Sequence, residues 1–332
     1  MEALYYERTD GKIRCTLCPH FCLVTEGNTG ICKVRRNIGG KLIAETWGKL
    51  SALHHDPVEK KPLYHFYPGS HVLSIGSVGC NMRCKCCQNW QISQTSIREY
   101  QFDRNYLPSE IAGLAKSDTR NLGIAFTYNE PGMWFEYMLE TAQLVHEAGL
   151  KNIMVSNGFI SEKPLDDLLQ YIDAFNIDIK GFTEEFYRKF TGSSLQPVLE
   201  SLYRIRKSGR HLELTCLVVP GQNDDPVVFR DMTEWICDEL GPETILHISR
   251  YHPAYKMGLE STPEELMENL LDIAAEKLNY VYAGNIYLKN FQDTVCSKCH
   301  TVVIRRAGYE IEMVALSNDG TCSKCGNKII IR

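Results

Sequence analysis

The sequence lacks any long hydrophobic run and any marked excess of charge of one sign. Its 332 residues carry a formal net charge of −5, so it offers no basic footprint for binding nucleic acid. No window approaches the roughly 18 apolar residues of a membrane-spanning helix. Residues 1–10 contain no apolar stretch of the signal-peptide type. We therefore expect a cytoplasmic protein with no nucleic-acid partner and no membrane association.

Internal repeats and low-complexity segments are also missing, whereas cysteine is plentiful. The 14 cysteines fall mainly into three groups, at residues 15–32, 80–87 and 296–325. In a reducing compartment, cysteines arranged largely as CxxC pairs indicate metal ligands rather than disulfides. The groups predict three structural units, which are an N-terminal cysteine-rich segment (1–70), a central domain (71–290) and a C-terminal module (291–332).

The central domain alternates apolar, β-branched runs with longer amphipathic stretches. Strands are predicted at residues 72–75, 122–126, 152–155, 174–179, 212–219 and 244–248, with helices at 109–115, 134–148, 164–171, 196–208, 227–239 and 263–277. Strands that are apolar almost throughout are typical of a parallel sheet covered by helices. About six such units are too few for a closed eight-stranded barrel. The pattern by itself leaves a partial barrel and a doubly wound sheet both open.

The most informative motif lies just after the first predicted strand. Cys80, Cys84 and Cys87 have a CxxxCxxC spacing that binds three corners of an iron–sulfur cube and leaves one iron open for a ligand. Neighbouring residues in an extended loop point in opposite directions, so Cys86 and Cys87 are not expected to bind the same cluster. We interpret Cys86 as a small buried filler.

The run from Gly79 to Trp90 resembles the cluster loop of radical S-adenosylmethionine (SAM) enzymes, in the branch of the pyruvate formate-lyase activating enzymes. Within that branch it is most similar to the AmmeMemoRadiSam-type radical SAM enzyme. The resemblance implies an α/β partial barrel, a [4Fe–4S] cluster and SAM. It also implies reductive cleavage of SAM to a 5′-deoxyadenosyl radical, which abstracts hydrogen from an unidentified substrate. The radical is generated at the cluster, and no separate catalytic residue is assigned.

The same resemblance implies partners. One is a one-electron donor such as a flavodoxin or ferredoxin. Others are a protein substrate, as in glycyl-radical activation, or the remaining proteins of the AmmeMemoRadiSam system. An iron–sulfur electron-transfer or scaffold protein with structural zinc sites is the alternative. Pure electron transfer suits a cluster with four thiolates, whereas this loop has three, so we expect a radical SAM oxidoreductase.

Functional groups of parallel α/β folds cluster at the carboxyl ends of the strands. The segments found there resemble SAM-binding segments of the radical SAM and activating enzymes, which implies SAM contacts from Asn129, Glu130, Val155, Ser156, Asn157 and His252. Asp178 and Lys180 lie on one side of an extended segment after the fourth strand, so we expect Lys180 to meet the SAM carboxylate and Asp178 to orient it. A carboxylate at position 130 would suit the methionine ammonium. Simpler interpretations stay open: a turn around Asn129, an internal ion pair between Asp178 and Lys180, and a structural His252.

The outer cysteine groups predict further metal sites. Two CxxC pairs separated by 22 residues, typical of a zinc ribbon or rubredoxin-like module, are formed by Cys296, Cys299, Cys322 and Cys325. Four thiolates suit tetrahedral zinc, although a single iron binds the same set. The N-terminal group, which could hold zinc or an auxiliary cluster, is Cys15, Cys18, Cys22 and Cys32. We expect structural zinc there, because closed four-ligand sites are usually structural.

Overall fold

The N-terminal residues form two small antiparallel sheets. The computed structural model describes residues 1–9 and 12–331. Its first sheet joins β1 (Tyr6–Thr9), β2 (Lys12–Cys15) and β3 (Leu23–Val24), and its second joins β4 (Arg35–Ile38) to β5 (Lys41–Ala44). Gly39 and Gly40 make the two-residue turn of that hairpin with φ of +60° and +71°, a left-handed pair that glycine adopts without strain.

The central sheet has eight strands, of which the last seven run parallel. They are β6 (Ala52–Pro57), β7 (His71–Gly76), β8 (Asn121–Phe126), β9 (Lys151–Ser156), β10 (Ala174–Asp178), β11 (His211–Val218), β12 (Ile245–Arg250) and β13 (Tyr280–Gly284). Strand β6 is antiparallel to β7 and precedes the predicted boundary at residue 70. The strands follow one another in chain order from β6 to β13.

That monotonic order separates the two architectures that the sequence left open. A doubly wound sheet reverses its strand order at a switch point, whereas this sheet never reverses. Successive right-handed crossovers then put the helices on one face, as in a barrel. In the part of the chain that the structure describes, the edge strands β6 and β13 are not paired with each other, so the sheet is open.

Helices follow each parallel strand from β7 to β12. They are α1 (Trp90–Ser93), α2 (Pro108–Ser117), α3 (Phe135–Glu147), α4 (Glu162–Leu169), α5 (Glu184–Phe186), α6 (Gln196–Lys207), α7 (Pro226–Trp235) and α8 (Glu264–Ala275). Short π-helical turns continue α5 over Tyr187–Thr191 and α7 over Ile236–Leu240. None of the helices described is both long enough and apolar enough to cross a membrane.

All six predicted strands and all six predicted helices are present, with ends that differ by a few residues. The predictions missed β6 and β13, the two edges of the sheet. Strand β6 carries exposed His54 and His55, so its sequence does not have the continuous apolar character of a buried strand. The short helices α1 and α5 were also missed, since each has four residues or fewer.

The two outer segments pack at opposite ends of the central sheet. The C-terminal module contains β14 (Thr294–Val295), β15 (Val302–Ala307) and β16 (Glu310–Met313). Its core, which includes Cys296 and Cys322, packs against Ile245 and Tyr280 at the amino ends of β12 and β13. The N-terminal segment instead packs beside the loop that leaves the carboxyl end of β7, where an ideal Cβ on Gly79 would lie 2.8 Å from Cys32 O.

A buried ion pair fixes the N-terminal segment to α3. The Arg35 guanidinium donates two hydrogen bonds of 2.9 Å to the Glu136 carboxylate, and both side chains are almost fully buried. Glu136 also accepts from the backbone N–H of Leu4 at 2.7 Å. Because bidentate charge-assisted bonds specify geometry, this pair sets where the N-terminal cysteines lie relative to the central sheet.

Candidate functional site

The loop that follows β7 carries Cys80, Cys84 and Cys87 at the carboxyl end of the sheet. Asn129, at the end of the neighbouring strand β8, holds this loop with both ends of its amide. Its Oδ1 accepts from Ser77 N at 3.0 Å, and its Nδ2 donates to Gly79 O at 2.8 Å. The predicted SAM contact Asn129 is therefore engaged in supporting the cysteine loop.

The three cysteines suit a ligand larger than a single ion. Their side chains are partly exposed, whereas Cys86 is 7% exposed, in line with its interpretation as a filler. The three sulfur atoms do not all lie within 4.8 Å of one another. Among the described residues, only the C-terminal cysteines form a group that close. Thiolates around a single zinc ion lie about 3.8 Å apart, since each Zn–S bond is about 2.3 Å. A triad spread more widely fits the corners of a cluster.

Polar hydrogens already point at one of these sulfurs. The backbone N–H of Met82 lies 3.3 Å from Cys80 Sγ, and the Asn157 amide nitrogen lies 3.7 Å from the same atom. Burial raises the pKa of the Cys80 thiol, and it raises the pKa of the Cys84 thiol to about 12. Without a metal these thiols keep their protons, so metal binding would release them.

Glu130 joins the ends of β8 and β9. Its carboxylate accepts hydrogen bonds from Gly132 N at 3.0 Å, Ser156 Oγ at 2.8 Å and Asn157 N at 2.9 Å. Burial raises the pKa of Glu130 although these bonds oppose the shift. An ionised carboxylate has about four acceptor positions, so little capacity is left for the ammonium group expected there.

Asn157 connects the end of β9 to the cysteine loop. Its Nδ2 donates to Asn81 Oδ1 at 2.9 Å, and its Oδ1 accepts from Phe159 N at 2.9 Å. Val155 lies beside it in β9 and pairs with Asn176 of β10. Of the three predicted residues from 155 to 157, Asn157 contacts the loop directly and Ser156 bonds to Glu130, whereas Val155 is placed by its pairing within the sheet.

Asp178 and Lys180 form an ion pair at the end of β10. Lys180 Nζ lies 2.8 Å from Asp178 Oδ2. Burial lowers the pKa of Lys180, but Asp178 and the neighbouring Cys84 raise it further, so that it lies well above its ordinary value. The amine lies near enough to Cys84 to oppose the rise in the pKa of that thiol, and the Lys180 side chain is only partly exposed. This ion pair was the simpler interpretation of the two residues, and it leaves the amine available at the site.

The described hydrogen bond of His252 is with a nearby serine rather than with the other predicted contacts. Its ring nitrogen Nδ1 lies 2.9 Å from Ser261 Oγ, and the side chain is exposed. The following residues do reach the cysteine loop, because Lys256 N donates to Lys85 O at 3.1 Å. Tyr255 stacks on Trp90 with ring centroids 5.3 Å apart. The segment after β12 therefore borders the site, while the His252 ring makes a local bond.

One buried polar group was missed. In the charge-rich segment 56–66, which contains none of the predicted site residues, Asp56 and Lys61 are buried. Asp56 accepts from Lys61 Nζ at 2.6 Å and from the Tyr128 hydroxyl at 2.6 Å. Tyr128 has a φ of +72°, an uncommon value for a non-glycine residue, and it directly precedes Asn129. An extended charge-rich run gave no signal that its side chains turn inward.

The C-terminal cysteines fit one tetrahedral ion. Their four sulfur atoms lie within 4.8 Å of one another, with 3.6 Å between Cys296 and Cys325 and 3.7 Å between Cys299 and Cys322. Those separations match the roughly 3.8 Å edges of a zinc–thiolate tetrahedron. The chain therefore carries a metal-binding module at the end of the sheet opposite to the cysteine loop.

Comparison with known proteins gives a consistent result. Residues 74–231 match the Radical SAM superfamily. An uncharacterized protein of Methanocaldococcus jannaschii is 41% identical over 99% of both chains. The (2S)-3-sulfopropanediol dehydratase activating enzyme of Klebsiella oxytoca is 27% identical, over 36% of this chain and 38% of that enzyme's length. The crystal structure of a radical SAM methyltransferase from Sphaerobacter thermophilus shares the fold, with a TM-score of 0.51 and 12% identity over 66% of this chain and 67% of that one.

Proposed function

The chain belongs to the radical SAM superfamily, and from this premise we propose that it cleaves SAM reductively and abstracts hydrogen from a substrate. The superfamily implies a [4Fe–4S] cluster and SAM. The observation that carries the proposal is the three-cysteine loop at the carboxyl ends of parallel strands, with sulfur atoms too widely spaced for a single ion. When bound, the cluster would deliver one electron to SAM, giving methionine and a 5′-deoxyadenosyl radical.

The protein's own residues would hold and tune this centre. Cys80, Cys84 and Cys87 would be its three thiolate ligands, and one iron would stay open for SAM. The N–H groups of Met82 and Asn157 near Cys80 would stabilise its thiolate, since hydrogen bonds to cluster sulfurs tune the reduction potential.

The proposed SAM contacts divide into two kinds. Lys180 presents a charged amine near the loop, which suits the SAM carboxylate as a charge-assisted partner. Asn129, Glu130, Ser156 and Asn157 hold the loop and the ends of β8 and β9 together, so we propose that they position the site. Val155, Asp178 and His252 stay proposed contacts at the border of the same region.

We propose a protein as the substrate. The Klebsiella relative is named for activating a dehydratase, which is itself a protein. The proposed one-electron donor is of the flavodoxin or ferredoxin class, and proteins of the AmmeMemoRadiSam system are candidate partners. We propose zinc for the C-terminal module, whose place at the amino ends of the strands suits a structural role.

The first test is anaerobic formation of 5′-deoxyadenosine. Reconstituted protein is mixed with SAM and dithionite, and the product is measured by chromatography. C84A should abolish the product. The matched control is C237A, because Cys237 lies on the π-helical turn after α7, away from the loop. Wild-type-like product from C84A would refute the assignment, and a cluster whose spectrum ignores SAM would favour an electron-transfer protein.

The substrate class needs a separate test. Cells grown in deuterated medium are lysed anaerobically and divided by size into macromolecules and small molecules. Each fraction is incubated with the enzyme, SAM and reductant. Deuterium in 5′-deoxyadenosine from the macromolecular fraction, lost after protease treatment, would support a protein substrate. Deuterium transfer from the small-molecule fraction alone would refute it.

A further inference from the structure

The N-terminal cysteines surround one common cavity. Cys15, Cys18, Cys22 and Cys32 all line it, together with Arg35. Three of the four are buried, and Cys22 is partly exposed. Gly30 forms part of the wall, where an ideal Cβ would lie 3.4 Å from Cys22 Sγ. Residues separated by up to 17 positions in the sequence are thus gathered around one space.

The spacing of these sulfurs differs from that of the C-terminal cysteines. No three of the four N-terminal sulfur atoms lie within 4.8 Å of one another, although all four residues are described. At the C terminus all four sulfur atoms meet this limit, as a single tetrahedral ion requires. The same chain thus contains one quartet gathered for an ion and another spread around a cavity. The second arrangement suits a polynuclear cluster.

The two quartets also differ in their location, and this difference favours the same assignment. The C-terminal quartet lies at the amino ends of the strands, remote from the three-cysteine loop. The N-terminal cavity shares a wall with that loop, because Asn81, the residue after Cys80, also lines it. The His20 ring Nε2 donates to Asn81 O at 2.7 Å. A structural ion can lie anywhere in the fold, whereas an electron carrier has to lie close to the centre that it reduces.

Asn81 forms a rigid connection between the cavity and the loop. It is 1% exposed, and its Nδ2 donates to Phe159 O at 2.7 Å. Its Oδ1 accepts from Asn157, whose amide also lies beside Cys80 Sγ. Gly79 permits the close approach, since an ideal Cβ there would lie 2.7 Å from Val34 Cγ1. The two cysteine sites are therefore separated by packed protein rather than by solvent.

We propose that Cys15, Cys18, Cys22 and Cys32 hold a second [4Fe–4S] cluster that relays electrons to the first. Four thiolates would leave this cluster no open iron, which suits electron transfer rather than SAM binding. A donor of the flavodoxin or ferredoxin class loses one electron, and the second cluster gains it. The second cluster then returns to its oxidised state as the first is reduced, with no atom or proton transferred. The relay rests on the proposed function, whereas the cluster assignment does not.

Metal content of loop variants tests the cluster assignment. After anaerobic reconstitution with iron and sulfide, the wild type should contain about eight irons and about one zinc per chain. The variant C80A/C84A/C87A should keep about four irons and show, once reduced, a paramagnetic signal that SAM does not change. The same variant with about two zincs and no iron would refute the second cluster. This readout does not depend on SAM cleavage, so it separates failure of this proposal from failure of the proposed function.

A second variant tests the relay. C18S/C22S should lose about four irons and keep a cluster whose signal responds to SAM. With dithionite it should still form 5′-deoxyadenosine, and with reduced flavodoxin product formation should be lost. Circular dichroism and the SAM-responsive signal show that the variant is folded. Unchanged iron content would refute the second cluster, and wild-type-like turnover with flavodoxin would refute the relay alone.

Discussion

Acid should weaken the attachment of the C-terminal module through one histidine. His65 is 1% exposed and lies between the central sheet and the module. Its Nδ1 donates to Ile329 O at 2.9 Å, and its Nε2 accepts from the Tyr282 hydroxyl at 2.6 Å. A backbone carbonyl can only accept, so Nδ1 carries a proton, and in the neutral ring that burial favours Nε2 is the acceptor.

The size of the stability loss at acid pH follows from the pKa of His65. Burial lowers the pKa of His65 from 6.5 to about 3, with Glu213 opposing the shift and Arg306 adding to it. Between these values the unfolded chain binds a proton that the folded protein excludes, so stability falls as pH decreases. The loss is about 1.4 kcal/mol per pH unit below 6.5, or about 2 kcal/mol at pH 5 relative to pH 7.5.

The assay compares the wild type with H65Q. Glutamine keeps a donor and an acceptor but has no titratable group in this range. Free energies of unfolding are measured anaerobically by denaturant titration at intervals from pH 7.5 to pH 5, followed by circular dichroism. We expect the wild type to lose about 2 kcal/mol more than the variant over this range. Parallel stability curves for the two proteins would refute the neutral buried histidine, because every other titrating group is common to both.

Three further outcomes are expected. G79A should reduce iron at the cysteine loop, since a Cβ there would lie 2.8 Å from a backbone oxygen of the N-terminal segment, whereas G27A, with a similar φ but no atom within 4 Å, should keep its iron. E136A should cost about 3–5 kcal/mol of unfolding free energy, because it leaves the Arg35 charge buried without its partner, and a loss below 1 kcal/mol by denaturant titration would contradict this. C322S should lower zinc by about one per chain and leave iron unchanged, and a loss of iron instead would contradict separate sites.

The sequence by itself determined the features that depend on a few neighbouring residues. Cys80, Cys84 and Cys87 lie within eight positions, so they can reach one cluster in almost any fold. The six central strands were predictable because parallel strands are buried on both faces and therefore have nearly continuous apolar sequences. Strand β6 was not predictable, since an edge strand with exposed histidines has no such run.

Only the tertiary structure decided how distant residues meet. Each end of the chain has a set of four cysteines, yet packing draws the C-terminal quartet together and holds the N-terminal one around a cavity beside Asn81. Packing also turns Asp56 and Lys61 inward, and it commits most of the Glu130 carboxylate to three donors. Local spacing limits which atoms can reach one ligand. By contrast, Asp56 and Tyr128 are 72 positions apart and Glu130 and Asn157 are 27 apart, so these pairs meet only once the sheet has formed.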